Sequence, residues 1–99
     1  MSSTNEAQQR IMKIVEMLAN DVVMGYSPMQ IARHIGTSPA NITRDMSNLE
    51  QFGWVERDEE RSTWRLTPRF GQQSFKVQNS IERAARRVEE TQQRYTRIS

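Results

Sequence analysis

Each of the three prolines in this 99-residue sequence follows a hydroxyl residue: Ser27-Pro28, Ser38-Pro39 and Thr67-Pro68. A serine or threonine at the N-cap accepts a hydrogen bond from the first turn of a helix. Proline at the first helical position costs no hydrogen bond, because an amide hydrogen there would have no helical partner. Gln30 also stands three residues after Ser27, as a capping box requires. The sequence therefore predicts that helices begin at residues 28, 39 and 68.

The spacing of apolar residues extends these predictions and adds a helix before them. The first helix, about residues 5–19, carries a stripe that continues beyond it: Ala7, Ile11, Ile14, Val15, Leu18 and Val22. The second, 28–35, is expected to turn inward Met29, Ile31, Ala32 and Ile35. The third, 39–52, has one inward stripe: Ile42, Met46, Leu49 and Gly53. Only Gly36 and Thr37 separate the second helix from the next N-cap, Ser38, which is typical of a helix-turn-helix.

The period changes after the third helix, in the stretch WVERDEERSTWRL at residues 54–66. Aromatic and branched residues stand on both sides of a charged turn, Asp58-Glu59-Glu60-Arg61, which predicts a two-stranded hairpin. We expect Trp54 and Trp64 to pack in the hairpin core rather than to stack on bases. Three helices followed by a hairpin is the order of a winged helix. The predicted fold is mainly α with a small β-hairpin: a winged helix-turn-helix domain over residues 1–67.

Residues 68–99 form a second unit with a heptad pattern. Apolar and small residues alternate at spacings of 4 and 3, with Ile81, Val88 and Tyr95 at the a positions and Val77, Ala84, Thr91 and Ile98 at d. A helix of this length spans roughly 40 Å, too long to pack wholly on so small a domain. These seven residues therefore predict a C-terminal dimerisation helix, with packing inside one chain as the alternative. Arg87 and Arg94, at g, have no acidic residue at e to pair with, so the orientation of the two helices stays open.

The outward face of the third helix is the candidate for base contacts in DNA. Small residues let a helix approach the bases closely, arginine can donate two hydrogen bonds to guanine, and asparagine can pair with adenine. The expected base-contacting residues are Ser38, Ala40, Asn41, Thr43, Arg44, Ser47 and Asn48. We expect no long acidic side chain on this face, with Asp45 at the edge of the core stripe. A solvated surface helix is the alternative, although such a helix usually carries glutamate and lysine.

Phosphate contacts are expected from the second helix and from the hairpin. The predicted residues are Ser27, Gln30, Arg33, Thr37, Arg57, Arg61, Thr63 and Arg65. Such contacts fix the protein on the duplex without selecting a sequence. The acidic turn would repel phosphates, so the strand arginines rather than the tip are expected to touch DNA. His34 is expected to be exposed with no special role.

The composition argues against several other classes of protein. With no cysteine and one histidine, the chain lacks the ligands of a disulfide framework or a typical zinc site, and no catalytic constellation is visible. We expect no enzyme activity, metal or cofactor. No signal peptide and no apolar run of about 20 residues are visible, which predicts a soluble cytoplasmic protein without membrane contacts. The net charge is +2, and its surplus lies in residues 72–99, with six basic and three acidic side chains.

Residues 7–66 resemble the winged-helix DNA-binding domain of IclR-type bacterial regulators. The resemblance rests on MQIARHIGTSPANITRDMSNLEQFGWVERD followed by WRLT, and MarR-like and ArsR-like domains share the outline. It aligns Arg44 with the arginine of the family's recognition helix, Asn41 and Thr43 with flanking DNA-facing positions, and Gly53-Trp54-Val55 with the entry to the wing. Asp45, where the family usually has an apolar residue, and the acidic turn depart from the pattern. The family's large effector-binding domain has no counterpart here, so no small-molecule effector is expected.

Together these features predict a sequence-specific transcriptional regulator that binds double-stranded DNA as a homodimer, with residues 39–52 in the major groove. A stand-alone domain with a helical tail is similar, by analogy, to small regulators of phages and plasmids. The principal alternative is a protein-interaction module, or an inhibitor of a host protein, that does not recognise a DNA sequence. Binding of structured RNA is a further alternative. Alanine changes on the outer face of the third helix distinguish DNA binding from the protein-interaction module.

Overall fold

The computed structural model describes residues 3–97 and contains four α-helices and one hairpin in that range. They are α1 (Glu6–Leu18), α2 (Pro28–Ile35), α3 (Pro39–Phe52), β1 (Val55–Asp58), β2 (Thr63–Leu66) and α4 (Pro68–Thr96). The predicted starts at 28, 39 and 68 are confirmed, with Ser27, Ser38 and Thr67 as N-caps and the Ser27–Gln30 capping box formed. The expectation of a mainly helical chain with a hairpin and a long C-terminal helix is confirmed.

The core lies where α1, α2 and α3 meet the base of the hairpin. Its buried apolar residues are Ile14, Met17, Leu18, Ile31, Ala32, Ile42, Met46, Leu49, Val55 and Leu66. Three expectations about this core were wrong. Met29 is 67% exposed, because it lies roughly 110° around α2 from the middle of the Ile31, Ala32 and Ile35 stripe at 100° per residue. Ala7 is exposed in the first turn of α1, and Val22 is exposed because it follows the end of that helix.

The hairpin is antiparallel, with Val55 opposite Leu66 and Asp58 opposite Thr63. Trp64 also forms a bridge with Tyr26, in the connection between α1 and α2, through N···O distances of 2.9 and 2.8 Å. The Thr63 hydroxyl donates to the Met24 carbonyl at 2.7 Å beside this bridge. These contacts attach the hairpin to the helical body along one side, and the heptad and capping patterns did not predict them.

Gly25 lies next to the Tyr26 bridge and makes the close approach possible. Its φ is +72°, in the left-handed region that favours glycine. A Cβ built on Gly25 would lie 2.2 Å from the carbonyl oxygen of Trp64. The connection between α1 and α2 can therefore meet β2 only with glycine at this position.

A buried ion pair joins α1 to α3. Asp45 is 3% exposed and accepts hydrogen bonds from Nε and Nη2 of Arg10, the second at 2.9 Å. This hydrogen bond to Asp45 raises the pKa of the Arg10 guanidinium above its ordinary value. The pair explains how an aspartate can stand where the core stripe of α3 would otherwise be apolar, because burying an unpaired carboxylate is costly.

The start of α4 is fixed to the end of α3. Trp54 packs edge-on against Phe52 and Phe70, with ring centroids 5.4 and 4.8 Å away. The Thr67 hydroxyl donates to the Gly53 carbonyl at 2.6 Å. The expected core positions of Trp54 and Trp64 are confirmed, since both are partly buried against the core.

Beyond its first turn, α4 has little contact with the helical body. None of its residues is buried, although it is 29 residues long and so spans roughly 43 Å at 1.5 Å per residue. The longest dimension of the molecule is accordingly 69 Å. Within residues 3–97, no helix is both long and apolar enough to cross a membrane.

Candidate nucleic-acid interface

The outer face of α3 is formed by six exposed residues: Ala40, Thr43, Arg44, Ser47, Asn48 and Gln51. Ile42, Met46 and Leu49 hold the opposite side of the helix in the core. Ser38 caps the helix by accepting a hydrogen bond from the Asn41 amide at 3.2 Å. The helix is therefore fixed at its N-terminus and along its inner side, while its small polar side chains face solvent.

Two of the expected base-contacting residues already have partners within the chain. Asn41 is half-buried and donates from Nδ2 to the Thr37 hydroxyl at 2.9 Å. The Thr43 hydroxyl donates to the Pro39 carbonyl at 3.1 Å. Both side chains must change partners, or use their remaining acceptors and donors, to contact a base.

Arg44 is the one charged residue among the six that form this face, and its side chain is only weakly restrained. Within residues 3–97 its one side-chain hydrogen bond is a long one, 3.4 Å from Nη2 to Oδ1 of the Asn41 side chain. Over the described part of the chain it forms no ion pair. The guanidinium is thus exposed, charged and available for a bidentate contact.

Several of the predicted phosphate contacts have structural roles. Ser27 and Gln30 bond each other's backbone amides, at 3.2 and 2.8 Å, and Thr37 accepts from Asn41. Thr63 holds Met24. On α2, Arg33 is exposed and makes no ion pair with any described residue, and His34 is exposed as expected.

Two hairpin arginines are held by carboxylates. Arg65 bonds Glu56 and Asp58, both at 3.0 Å, and Arg61 bonds Asp58 at 2.7 Å. Asp58, expected at the exposed turn, is instead the buried last residue of β1. It accepts from the backbone amides of Glu60 and Arg61, so the turn closes over it. The hydrogen bonds from Arg61 hold the pKa of Asp58 below its ordinary value, and the bond to Glu56 raises the pKa of Arg65.

Arg57 differs from these two arginines because it has no carboxylate partner among residues 3–97. Its guanidinium carbon lies 5.9 Å from the centre of the Trp64 ring. A cation over an aromatic face is oriented without being neutralised. Arg57 therefore keeps its full positive charge at the hairpin surface.

A cleft of about 340 Å³ separates the outer face of α3 from the hairpin. Its lining residues are Pro28, Ile42, Thr43, Ser47, Glu50, Arg57, Glu59 and Trp64. The cleft thus brings Thr43 and Ser47 together with Arg57, whereas Arg33 and Arg44 do not line it. The residues expected to contact DNA form one continuous face on α3 but separate groups elsewhere.

Glu50 corrects the expectation that no long acidic side chain lies on this side of α3. It is exposed and shares the cleft with Thr43 and Ser47. The signal was present in the sequence, because Glu50 follows Ser47 by three residues and Thr43 by seven, which places all three on one side of a helix. Glu59, on the turn, adds a second carboxylate to the same cleft.

The heptad residues of α4 form an exposed stripe. Its larger members are all more than half exposed: Val77 (56%), Ile81 (58%), Val88 (61%) and Tyr95 (86%). Ala84 and Thr91 are exposed between them. Ile98, the last predicted member, lies outside the described residues.

Comparison of the chain with protein-family models, with curated proteins and with solved structures finds no match. Any functional assignment must therefore come from the geometry of the molecule and from its sequence motifs.

Proposed function

We propose that this protein is a winged helix-turn-helix transcriptional regulator that binds DNA sequence-specifically as a homodimer. In this proposal α2 and α3 form the helix-turn-helix, α3 enters the major groove, and the hairpin is the wing. The observation that carries the proposal is the outer face of α3, where small polar residues surround Arg44, an exposed arginine that makes no ion pair within residues 3–97.

The support of α3 favours a role in recognition. A helix that selects bases must be held rigidly, because a shift of about 1 Å disrupts its hydrogen bonds. Three devices hold this helix: the Ser38 cap, the buried apolar stripe and the Asp45–Arg10 ion pair. The Tyr26–Trp64 bridge fixes the wing beside it. These contacts hold the outer face of α3 in a fixed position, as base recognition requires.

Exposed arginines that are not neutralised by a carboxylate support a small number of phosphate contacts. Arg33 on α2 and Arg57 on the wing are exposed without carboxylate partners in the described chain, and the elements that carry them, α2 and β1, both contact α3. Arginines of this kind can fix the protein on the duplex backbone. Arg61 and Arg65 contribute less, because Asp58 and Glu56 already neutralise them.

A protein-interaction module is the second candidate, and the cleft beside α3 favours it. Glu50 and Glu59 line this cleft, and a phosphate backbone entering it would meet two carboxylates. A partner with a basic segment would instead find complementary charge there. Under this candidate α3 would be a scaffold, and removal of Arg44 would have no effect on a DNA complex.

The experiment compares Arg44→Ala with Arg86→Ala, which removes the same charge from α4. Duplexes enriched by the wild-type protein from a random pool serve as ligands, with unrelated duplexes as competitors. Arg44→Ala should weaken specific binding by about 1–3 kcal/mol and relax the sequence preference, while Arg86→Ala should retain both. If Arg44→Ala bound the enriched duplex as tightly and as selectively as the wild type, α3 would not be the recognition helix. Absence of any duplex binding by the wild type would favour the protein-interaction module.

A further inference from the structure

The heptad residues of α4 form a regular apolar stripe that the described chain leaves uncovered. Val77, Ile81, Val88 and Tyr95 follow one line along a helix in which no residue is buried. We propose that a second copy of this chain covers this stripe in a parallel, in-register, two-stranded coiled coil. The inference rests on the homodimer of the proposed function and adds the orientation of the two helices.

The heptad pattern of α4 favours a second copy of this chain as the partner that covers the stripe. The a and d residues repeat over nearly three heptads, and such a narrow seam matches an identical seam on another helix. Ile81 and Val88 place β-branched residues at a, as parallel two-stranded coiled coils do, although no leucine stands at d. Ala84 at d lets the two helices approach closely at the middle of the seam.

Charge next to the seam favours the parallel orientation. In a parallel pair each g residue faces the e residue of the following heptad on the other helix. Arg87 then faces Gln92 of the second copy, and Ser80 faces Ala85. These pairs contain no like charges, and the glutamine can accept a hydrogen bond from the arginine.

An antiparallel pair brings g residues against g residues instead. With Ile81 opposite Thr91, the two copies of Arg87 meet at the twofold axis. With Ile81 opposite Ile98, Arg87 meets Arg94 twice. With Ile81 opposite Ala84, Tyr95 falls opposite Phe70, which already packs on Trp54. With Ile81 opposite Val77, Tyr95 lies beyond the start of the other α4. Each antiparallel register therefore either opposes two arginines or leaves Tyr95 uncovered.

The parallel orientation places both helical bodies at the same end of the coiled coil. Each α4 begins at its own body, where Thr67 and Trp54 attach it. Two α3 helices are then held on the same side of the molecule, as simultaneous contact with two half-sites on one duplex requires.

Cysteine cross-linking tests the orientation cleanly, because the chain contains no cysteine. Val77→Cys places a thiol at d, next to its own counterpart in a parallel in-register pair. In the antiparallel registers with Ile81 opposite Ala84, Thr91 or Ile98, the two thiols would be at least eleven residues apart along the helices, about 16 Å at 1.5 Å per residue. The control is Asn79→Cys, which is as close to the body but at f, on the side away from the seam. We expect most of the Val77→Cys protein, and little of the Asn79→Cys protein, to form disulfide-linked dimers under mild oxidation.

A charge-reversed variant provides a second measurement that does not depend on the cysteine. Arg87→Glu protein mixed with wild type should form heterodimers with less than about twofold preference in the parallel arrangement, because Arg87 faces an uncharged residue there. A strong heterodimer preference, together with dimers that fail to cross-link at residue 77, would overturn the parallel orientation. A monomer at all concentrations, measured by light scattering, would overturn the coiled coil itself. If that monomer still selected a DNA sequence, the proposed recognition by α3 would stand although the coiled coil had been disproved.

Discussion

Replacement of Arg57 by alanine removes the hairpin arginine that makes no ion pair within residues 3–97. In the proposed complex this residue holds a phosphate across the cleft from Thr43 and Ser47. The variant should fold normally, because Arg57 is exposed and its contact with Trp64 lies at the surface. Its effect should therefore appear in DNA binding rather than in stability.

The expected magnitude follows from counterion release. Each phosphate contact contributes about 0.9 to the slope of log K against log salt on duplex DNA. Loss of the Arg57 contact should lower that slope by about 0.9. The wild-type advantage over Arg57→Ala would then shrink about 3.5-fold as salt rises fourfold, from 50 to 200 mM, on the same relation.

The matched variant is Arg61→Ala, which removes the same charge from the same hairpin. Arg61 is already paired with Asp58 at 2.7 Å, and Arg65 remains bonded to Asp58 when Arg61 is lost. Its slope should change by less than half as much as that of Arg57→Ala. Fluorescence anisotropy with one labelled duplex at five salt concentrations measures all three slopes. Equal slope changes for Arg57→Ala and Arg61→Ala would show that internal ion pairs do not decide which hairpin arginine contacts DNA.

Three further predictions concern the scaffold. Gly25→Ala should lose more than about 2 kcal/mol of stability in urea unfolding, from left-handed backbone strain plus a clash with the carbonyl of β2. Gly36→Ala introduces the same backbone strain but no clash, because no atom lies within 4 Å of the added Cβ. It should therefore lose less stability than Gly25→Ala. The pKa of Asp58 is lowered in the folded state, so its stabilising contribution is complete above its unfolded pKa of about 4 and is lost as pH falls below that value. Asp58→Asn should accordingly show a smaller fall in melting temperature than the wild type between pH 5 and pH 3. Asp45→Ala should lower the urea midpoint more than the double variant Asp45→Leu, Arg10→Met, because the single change leaves a cation without its partner. The reverse order would show that the ion pair is not what stabilises the α1–α3 contact.

The local features of this fold could be predicted from the sequence. The three Ser/Thr-Pro pairs gave the starts of α2, α3 and α4 to the residue, because capping depends on side chains within one turn. The exposed face of α3 followed from helical periodicity in the same way. Glu50 could also have been assigned to that side of the helix from its spacing.

Contacts between distant residues left no such signal. A single bridge at Tyr26 has no alternation that would mark a strand, yet it fixes the hairpin to the body. Asp45 depends on Arg10, 35 residues earlier in the chain. The charged neighbours of Asp58 predicted an exposed turn residue. Its carboxylate is instead buried and accepts hydrogen bonds from the backbone amides of Glu60 and Arg61. Which arginines are neutralised, and so which can bind phosphate, became apparent only from these contacts.

Selection of duplexes from a random pool by the purified full chain, followed by a salt titration of the enriched sequence, tests the central claim most directly. The proposed function predicts enrichment of a twofold-symmetric motif with half-sites about one helical turn, or a multiple of it, apart. Binding of that motif should also weaken steeply as salt increases. Equal, weak binding to every duplex, or no binding to any, would contradict sequence-specific recognition by α3.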